Sequence, residues 1–199
     1  MSTISSEHGT LPLEPIDRPK GLFMRLLYGA LRRRYGLVPT VIRVIYARST
    51  SLALLSALIG LRIQFFTRLE RDLRFLLQVS MSMHANCTFC ADLWLAEAVK
   101  ARVGRERFRD LLSFETSDGF SAREKAALAY AAAVDASPRV PDEVWRRLRA
   151  HFSDRECIDI VWLCAIERYY NMMALPLRIG SDRILANVES RDEATTATP

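Results

Sequence analysis

Apolar positions recur along this chain at three- and four-residue spacing, and no stretch shows the sustained two-residue alternation of a half-buried strand. The pattern predicts an all-α protein with helices at about 22–34, 39–47, 50–66, 68–85, 88–102, 104–113, 121–135, 141–151 and 154–175. Two of the starts are marked by capping boxes, Ser121-Ala-Arg-Glu124 and Ser153-Asp-Arg-Glu156. In that motif the Ser hydroxyl takes the N3 amide while the Glu returns to the N-cap amide. The helix after the first box is alanine-rich, and small side chains let helix axes approach closely, so it belongs deep in a bundle or between subunits. Pro138 and Pro141 interrupt the pattern, and Pro141 suits the first turn of the next helix. Residues 1–20, with Pro12, Pro15 and Pro19 and no period, read as a flexible N-terminal segment, and residues 21–64 as a helical N-terminal extension. After Pro176 the period fades, and residues 181–199 read as a flexible tail.

Composition narrows the class. Half of the 199 residues are apolar, enough for one sizeable core. Four cysteines without a charged start and an apolar h-region do not read as the disulfide framework of a secreted domain, so a cytoplasmic location is expected. The most apolar window, Ser51 to Phe66, contains Arg62 and is flanked by Arg48 and Arg68. It falls short of the ~20 apolar residues of a membrane span and reads as a buried helix. The net charge of +5 lies wholly within residues 1–50. Arg25, Arg32, Arg33 and Arg34 interleave with Phe23, Leu26, Leu27, Tyr28 and Leu31 in a basic amphipathic helix. Such a helix suits an anionic membrane surface, but apolar stripes at this spacing usually go to a core or a neighbouring subunit. No nucleic-acid partner is expected.

The candidate chemistry sits at Cys87-Thr-Phe-Cys90. Two thiols at this spacing are a redox couple or half of a metal site, and a helix N-terminus lowers a thiol pKa through its unpaired N–H groups. Asn86 reads as the N-cap of the helix that follows, and Asp92 as a dipole partner or hydrogen-bond anchor. His84, three residues before Cys87, is a candidate base, because an imidazole pKa of about 6.5 matches the task. Its plainer role is to cap the helix end. Cys157 and Cys164 are seven apart on one helix and read as core packing. A zinc site shared with Cys87 and Cys90 would lack the second closely spaced pair, so no metal is expected. Glu97 reads as a solvated charge. Without a Gly-rich phosphate loop, no cofactor is expected either.

Taken in order, several motifs carry a resemblance. They are Val79-Ser80, Cys87-Thr-Phe-Cys90-Ala-Asp92, Glu97-Ala98, Phe120-Ser-Ala-Arg-Glu-Lys-Ala-Ala-Leu128, Val140-Pro-Asp-Glu-Val144, and Phe152-Ser with Asp159 and Asn171. Over residues 65–180 the chain resembles the carboxymuconolactone decarboxylase-like superfamily, in its alkylhydroperoxidase D-like (AhpD-like) branch. The resemblance implies a helical bundle, a homo-oligomer, and reduction of hydroperoxides through Cys87 and Cys90, with an external dithiol as reductant. The family pattern also places a histidine four residues after the second cysteine and a glutamate twelve before the first. Trp94 and Phe75 stand there instead, so the attacking thiol lacks its usual proton relay.

Three functions follow from this reading: a thiol oxidoreductase acting on a hydroperoxide or disulfide, a lactone decarboxylase-like enzyme, and a non-enzymatic oligomer in which the dithiol is a switch. The second would need polar groups converging on a carboxylate, and the sequence around residues 80–95 offers none.

Overall fold

The computed structural model describes residues 10–137 and 139–196, and these form helices and turns with no strand among them. The helices are α1 (Leu22–Tyr35), α2 (Thr50–Phe65), α3 (Arg71–His84), α4 (Thr88–Lys100), α5 (Ala122–Ala136), α6 (Asp142–Arg149), α7 (Asp154–Ala174) and α8 (Ile184–Thr196). A π-helical turn, Ile42–Tyr46, joins α1 to α2, and two 3₁₀ turns stand where a single helix over 104–113 is expected. No helix among the described residues is long and apolar enough to cross a membrane.

Helix α3 is the hub. Residues 76–82 are all buried, and α3 packs against α4, α5 and α7. Its aliphatic residues join those of α5, α6 and α7 in the larger core, where Ala126, Ala127 and Ala131 have no exposed surface. The close approach predicted for the alanine-rich helix is therefore realised. Both capping boxes form as the sequence predicts. Helix α3 starts at Arg71, later than its periodicity suggests, because the Arg68 amide donates to Asp159 at 2.9 Å instead of joining a helical turn.

A second core holds the chain's two ends together. Met24, Tyr28 and Tyr35 of α1, Val44 to Tyr46 of the π-helical turn, the start of α4 and Ile184, Leu185 and Val188 of α8 form one cluster. Two expectations change here. The segment 181–199 does not read as tail throughout, since 184–196 is α8. Its first turn is capped by Asp92, which accepts from Ser181 Oγ at 2.8 Å, Ile184 N at 2.8 Å and Leu185 N at 2.9 Å. A carboxylate on three donors at a helix N-terminus satisfies amides that have no intrahelical partner. Of the 1–20 segment, residues 1–9 lie outside the described residues, while 10–20 lie as a strap. The strap is tied by Ile16 N to Arg43 O at 3.1 Å, Tyr28 Oη to Ile16 O at 2.6 Å, and the Arg43 to Asp17 ion pair at 2.7 Å. The basic helix α1 buries Met24, Tyr28 and Tyr35 yet leaves Leu22, Phe23 and Leu26 exposed.

Candidate active site

Cys87 and Cys90 are joined as a disulfide across the first turn of α4, with Cα atoms 5.3 Å apart. The N-cap is Cys87 itself, whose sulfur accepts the Cys90 amide at 3.3 Å. Asn86, expected in that role, takes a left-handed conformation (φ 54°) that turns the chain from α3 into α4. Asn tolerates that region better than most residues. The two sulfurs are placed differently. Cys87 is fully buried in the second core, whereas Cys90 forms part of the wall of a cavity of about 200 Å³.

That cavity is apolar and aromatic. Phe89, Leu93 and Trp94 of α4 face Val41, Ile42 and Tyr46 of the π-helical segment, with Ile63 of α2 and Tyr170 and Met173 of α7 closing it. Ser56 Oγ donates to Tyr46 Oη at 2.8 Å, which leaves a small polar spot on the far wall. Burial raises the pKa of both Tyr46 and Tyr170, so each hydroxyl stays protonated and can donate. Trp94, which stands at the relay-histidine position, and Tyr170 are both here.

Glu167 is the residue that sequence reasoning missed. It is 1% exposed on α7 and accepts from Trp94 Nε1 at 2.7 Å and bonds Ser82 Oγ at 2.9 Å. Burial pushes its pKa up to about 8, against the smaller opposing effect of those two bonds. Ser82 Oγ also lies 2.7 Å from the Gln78 carbonyl, and a hydroxyl has one proton to give. A protonated Glu167 resolves the conflict by donating to Ser82 while Ser82 donates to Gln78. A signal for this residue was present in the sequence. Ile160, Leu163, Cys164, Glu167, Asn171 and Ala174 form one stripe at helical spacing, and all are buried.

The remaining candidates separate. His84 ends α3, half-buried, with Nδ1 3.5 Å from Ser80 Oγ, and it is not among the residues around the Cys90 cavity. Cys157 and Cys164 are free thiols in the larger core, apart from the cluster of Cys87 and Cys90, and burial raises both pKa values, that of Cys164 to about 12. Glu97 is not simply solvated. It pairs with Arg34 and accepts from Tyr35 Oη at 2.7 Å, which fastens α1 to α4. Asn171 is buried with neither side-chain polar atom hydrogen-bonded among the described residues.

Residues 53–133 match the model of the carboxymuconolactone decarboxylase family. An uncharacterized protein, YdfG, of Bacillus subtilis (strain 168) is 28% identical over 111 residues, which span 55% of this chain and 76% of YdfG. A protein of unknown function from Agrobacterium tumefaciens, described as a putative antioxidant defence protein AhpD, superposes with TM-score 0.61 at 26% identity, over 70% of this chain and 97% of its own. A cysteine-to-alanine variant of the debrominase Bmp8, in complex with 2,3,4-tribromopyrrole, superposes with TM-score 0.74 at 20% identity, over 93% of this chain and 99% of its own. The family match begins inside α2, twelve residues ahead of the start read from the motifs. With the helical hub of α3, the dithiol at the head of α4 and these likenesses together, residues 53–133 carry the carboxymuconolactone decarboxylase family pattern, and the chain as a whole is similar to AhpD-like proteins.

Proposed function

We propose that the chain is a thiol-dependent oxidoreductase that reduces a hydroperoxide at Cys90. The observation that carries this reading is the asymmetry of the pair, with Cys90 on an aromatic cavity and Cys87 buried behind it. In the reduced protein the Cys90 thiolate attacks the outer peroxide oxygen. The O–O bond breaks, Cys90 becomes a sulfenic acid, and the alkoxide leaves as the alcohol by taking a proton. Tyr46 or Tyr170, kept neutral by burial, supplies that proton and regains one from solvent. The Cys87 thiol then condenses with the sulfenic acid, releasing water and forming the disulfide. An external dithiol restores both thiols by exchange. Trp94 stands at the relay-histidine position and its indole cannot take up the thiol proton, so its bond to Glu167 makes it a fixed wall. Glu167 holds a proton behind that wall as a positioning residue, and His84, which is not among the residues around the cavity, has no part in the reaction.

A second reading is favoured by the aromatic lining of the cavity together with the Bmp8 likeness. It is reductive dehalogenation of a small halogenated ring, in which two thiols and a C–Br bond give C–H, bromide, a proton and the disulfide. The exposed row Leu54, Leu55, Leu58, Leu61 and Phe65 on α2 supports self-association, which sedimentation would read directly.

The test is to mix reduced protein with cumene hydroperoxide and follow peroxide and thiol loss together, with bromide release from a bromopyrrole measured in parallel. Cys90→Ser should abolish peroxide loss, and Cys87→Ser should stop after one turnover with a trappable sulfenic acid. Tyr46→Phe with Tyr170→Phe should slow the reaction, and His84→Ala should not. Loss no faster than in the Cys87→Ser/Cys90→Ser double variant would overturn the reading in favour of a non-catalytic switch.

A further inference from the structure

Next to the Cys90 cavity lies a second cleft of about 410 Å³, and the two share Gly60, Ile63 and Trp94 in their walls. The second cleft is cationic. Arg34, Arg71, Arg74 and Lys100 surround it against the single carboxylate of Glu97, which is already engaged by Arg34. Among the described residues Arg71 is paired with exposed Asp72 at 3.6 Å. Gln78, 2% exposed, is among the lining residues and its amide Nε2 has no hydrogen-bond partner among the described residues; Arg74 Nε is buried in the same condition, while Arg74 Nη1 donates to the Ile63 and Gln64 carbonyls. A buried donor left unpaired costs about 1–3 kcal/mol, so donors gathered in one cleft point to an acceptor that satisfies them.

We propose that this cleft holds the carboxylate of an amphipathic substrate whose apolar body enters the Cys90 cavity past Gly60 and Trp94. The spacing fits such a molecule. From Cys90 to Lys100 helix α4 rises about 15 Å, which separates reacting atom from anchor by the length of a medium acyl chain. Arg71 and Lys100, whose Nζ also donates to the Arg34 carbonyl at 3.1 Å, supply charge, and the Gln78 amide supplies direction. This inference rests on the thiol reading only for what happens at Cys90, since binding itself needs neither cysteine.

The test therefore uses Cys90→Ser protein and calorimetric titration with decanoate and with decanol. Decanoate is expected to bind on the order of tenfold tighter than decanol, with the preference shrinking as salt is raised. Arg71→Gln with Lys100→Gln should erase that preference while leaving decanol binding unchanged, and Gln78→Leu should weaken decanoate alone. Gly60→Leu, filling the shared wall, should abolish binding of both. Equal affinities for acid and alcohol, or a preference that survives removal of Arg71 and Lys100, would overturn the proposal whatever the peroxide assay gives. With the cysteines intact, linoleate hydroperoxide should be consumed about tenfold more efficiently than its methyl ester. Equal efficiency would count against the carboxylate anchor, whereas consumption of neither would count against the thiol chemistry and leave the binding result standing.

Discussion

Glu167→Gln isolates the consequence of keeping a carboxyl in the core. In the folded protein the group titrates at about 8, against an ordinary 4.5, because burial disfavours its charged form. Below pH 4.5 folded and unfolded chains both hold the proton, and the group is neutral to stability. Between 4.5 and 8 the unfolded chain releases it and the folded chain does not, so stability falls as pH rises, by about 1.4 kcal/mol per pH unit. Above pH 8 the loss is complete, at about 5 kcal/mol at most for the 4.5 to 8 interval. Gln is the shape of the protonated acid. Its amide donates to Ser82 Oγ and its carbonyl accepts from Trp94 Nε1, so both bonds persist and neither depends on pH. Urea unfolding of the two proteins at pH 5, 7 and 9 should show similar stability at pH 5 and a gap in favour of the variant that widens toward pH 9. A gap that is constant across this range would refute the claim that Glu167 is protonated in the native core.

Three further outcomes follow from other parts of the molecule. Asp92→Ala strips three donors at the head of α8 of their acceptor and should cost about 2–4 kcal/mol, with new proteolytic cleavage near residues 178–184. An unchanged urea midpoint would contradict it. Gly60→Ala adds a methyl group that meets nothing within 4 Å and removes a flexible residue from the interior of α2, so thermal unfolding should rise by about 0.5–1 kcal/mol equivalent. Removal of residues 1–64 takes away α1, the π-helical turn and α2, which cover Cys87 and Cys90, and the fragment should aggregate. A monodisperse 65–199 species in sedimentation would refute that.

Local signals carried much of the fold. Seven of the helices announce themselves by period and caps, and Ser121 and Ser153 close their boxes as written because every partner lies within three residues. What escaped depends on contacts distant in sequence. Helix α8 is weakly amphipathic by itself and is held by Asp92, some ninety residues earlier, a cap that no local pattern reveals. The start of α3 is displaced by Asp159 from the other end of the chain. At the site, the Cys-x-x-Cys pair was legible, but which sulfur faces a cavity was not, because that depends on the π-helical turn and α7 folding over it. Glu167 was overlooked among the polar residues of α7, although its register on the buried stripe marks it.

The core around Cys87 and Cys90 is assembled from both ends of the chain, with α8 as its last wall. During synthesis the pair is made well before Ile184, and at about 5–20 residues per second that interval lasts about 5–20 s. Throughout it the two thiols are neighbours in a nascent chain whose enclosing wall does not yet exist. They therefore meet the redox poise of the compartment first and the shelter of the fold second.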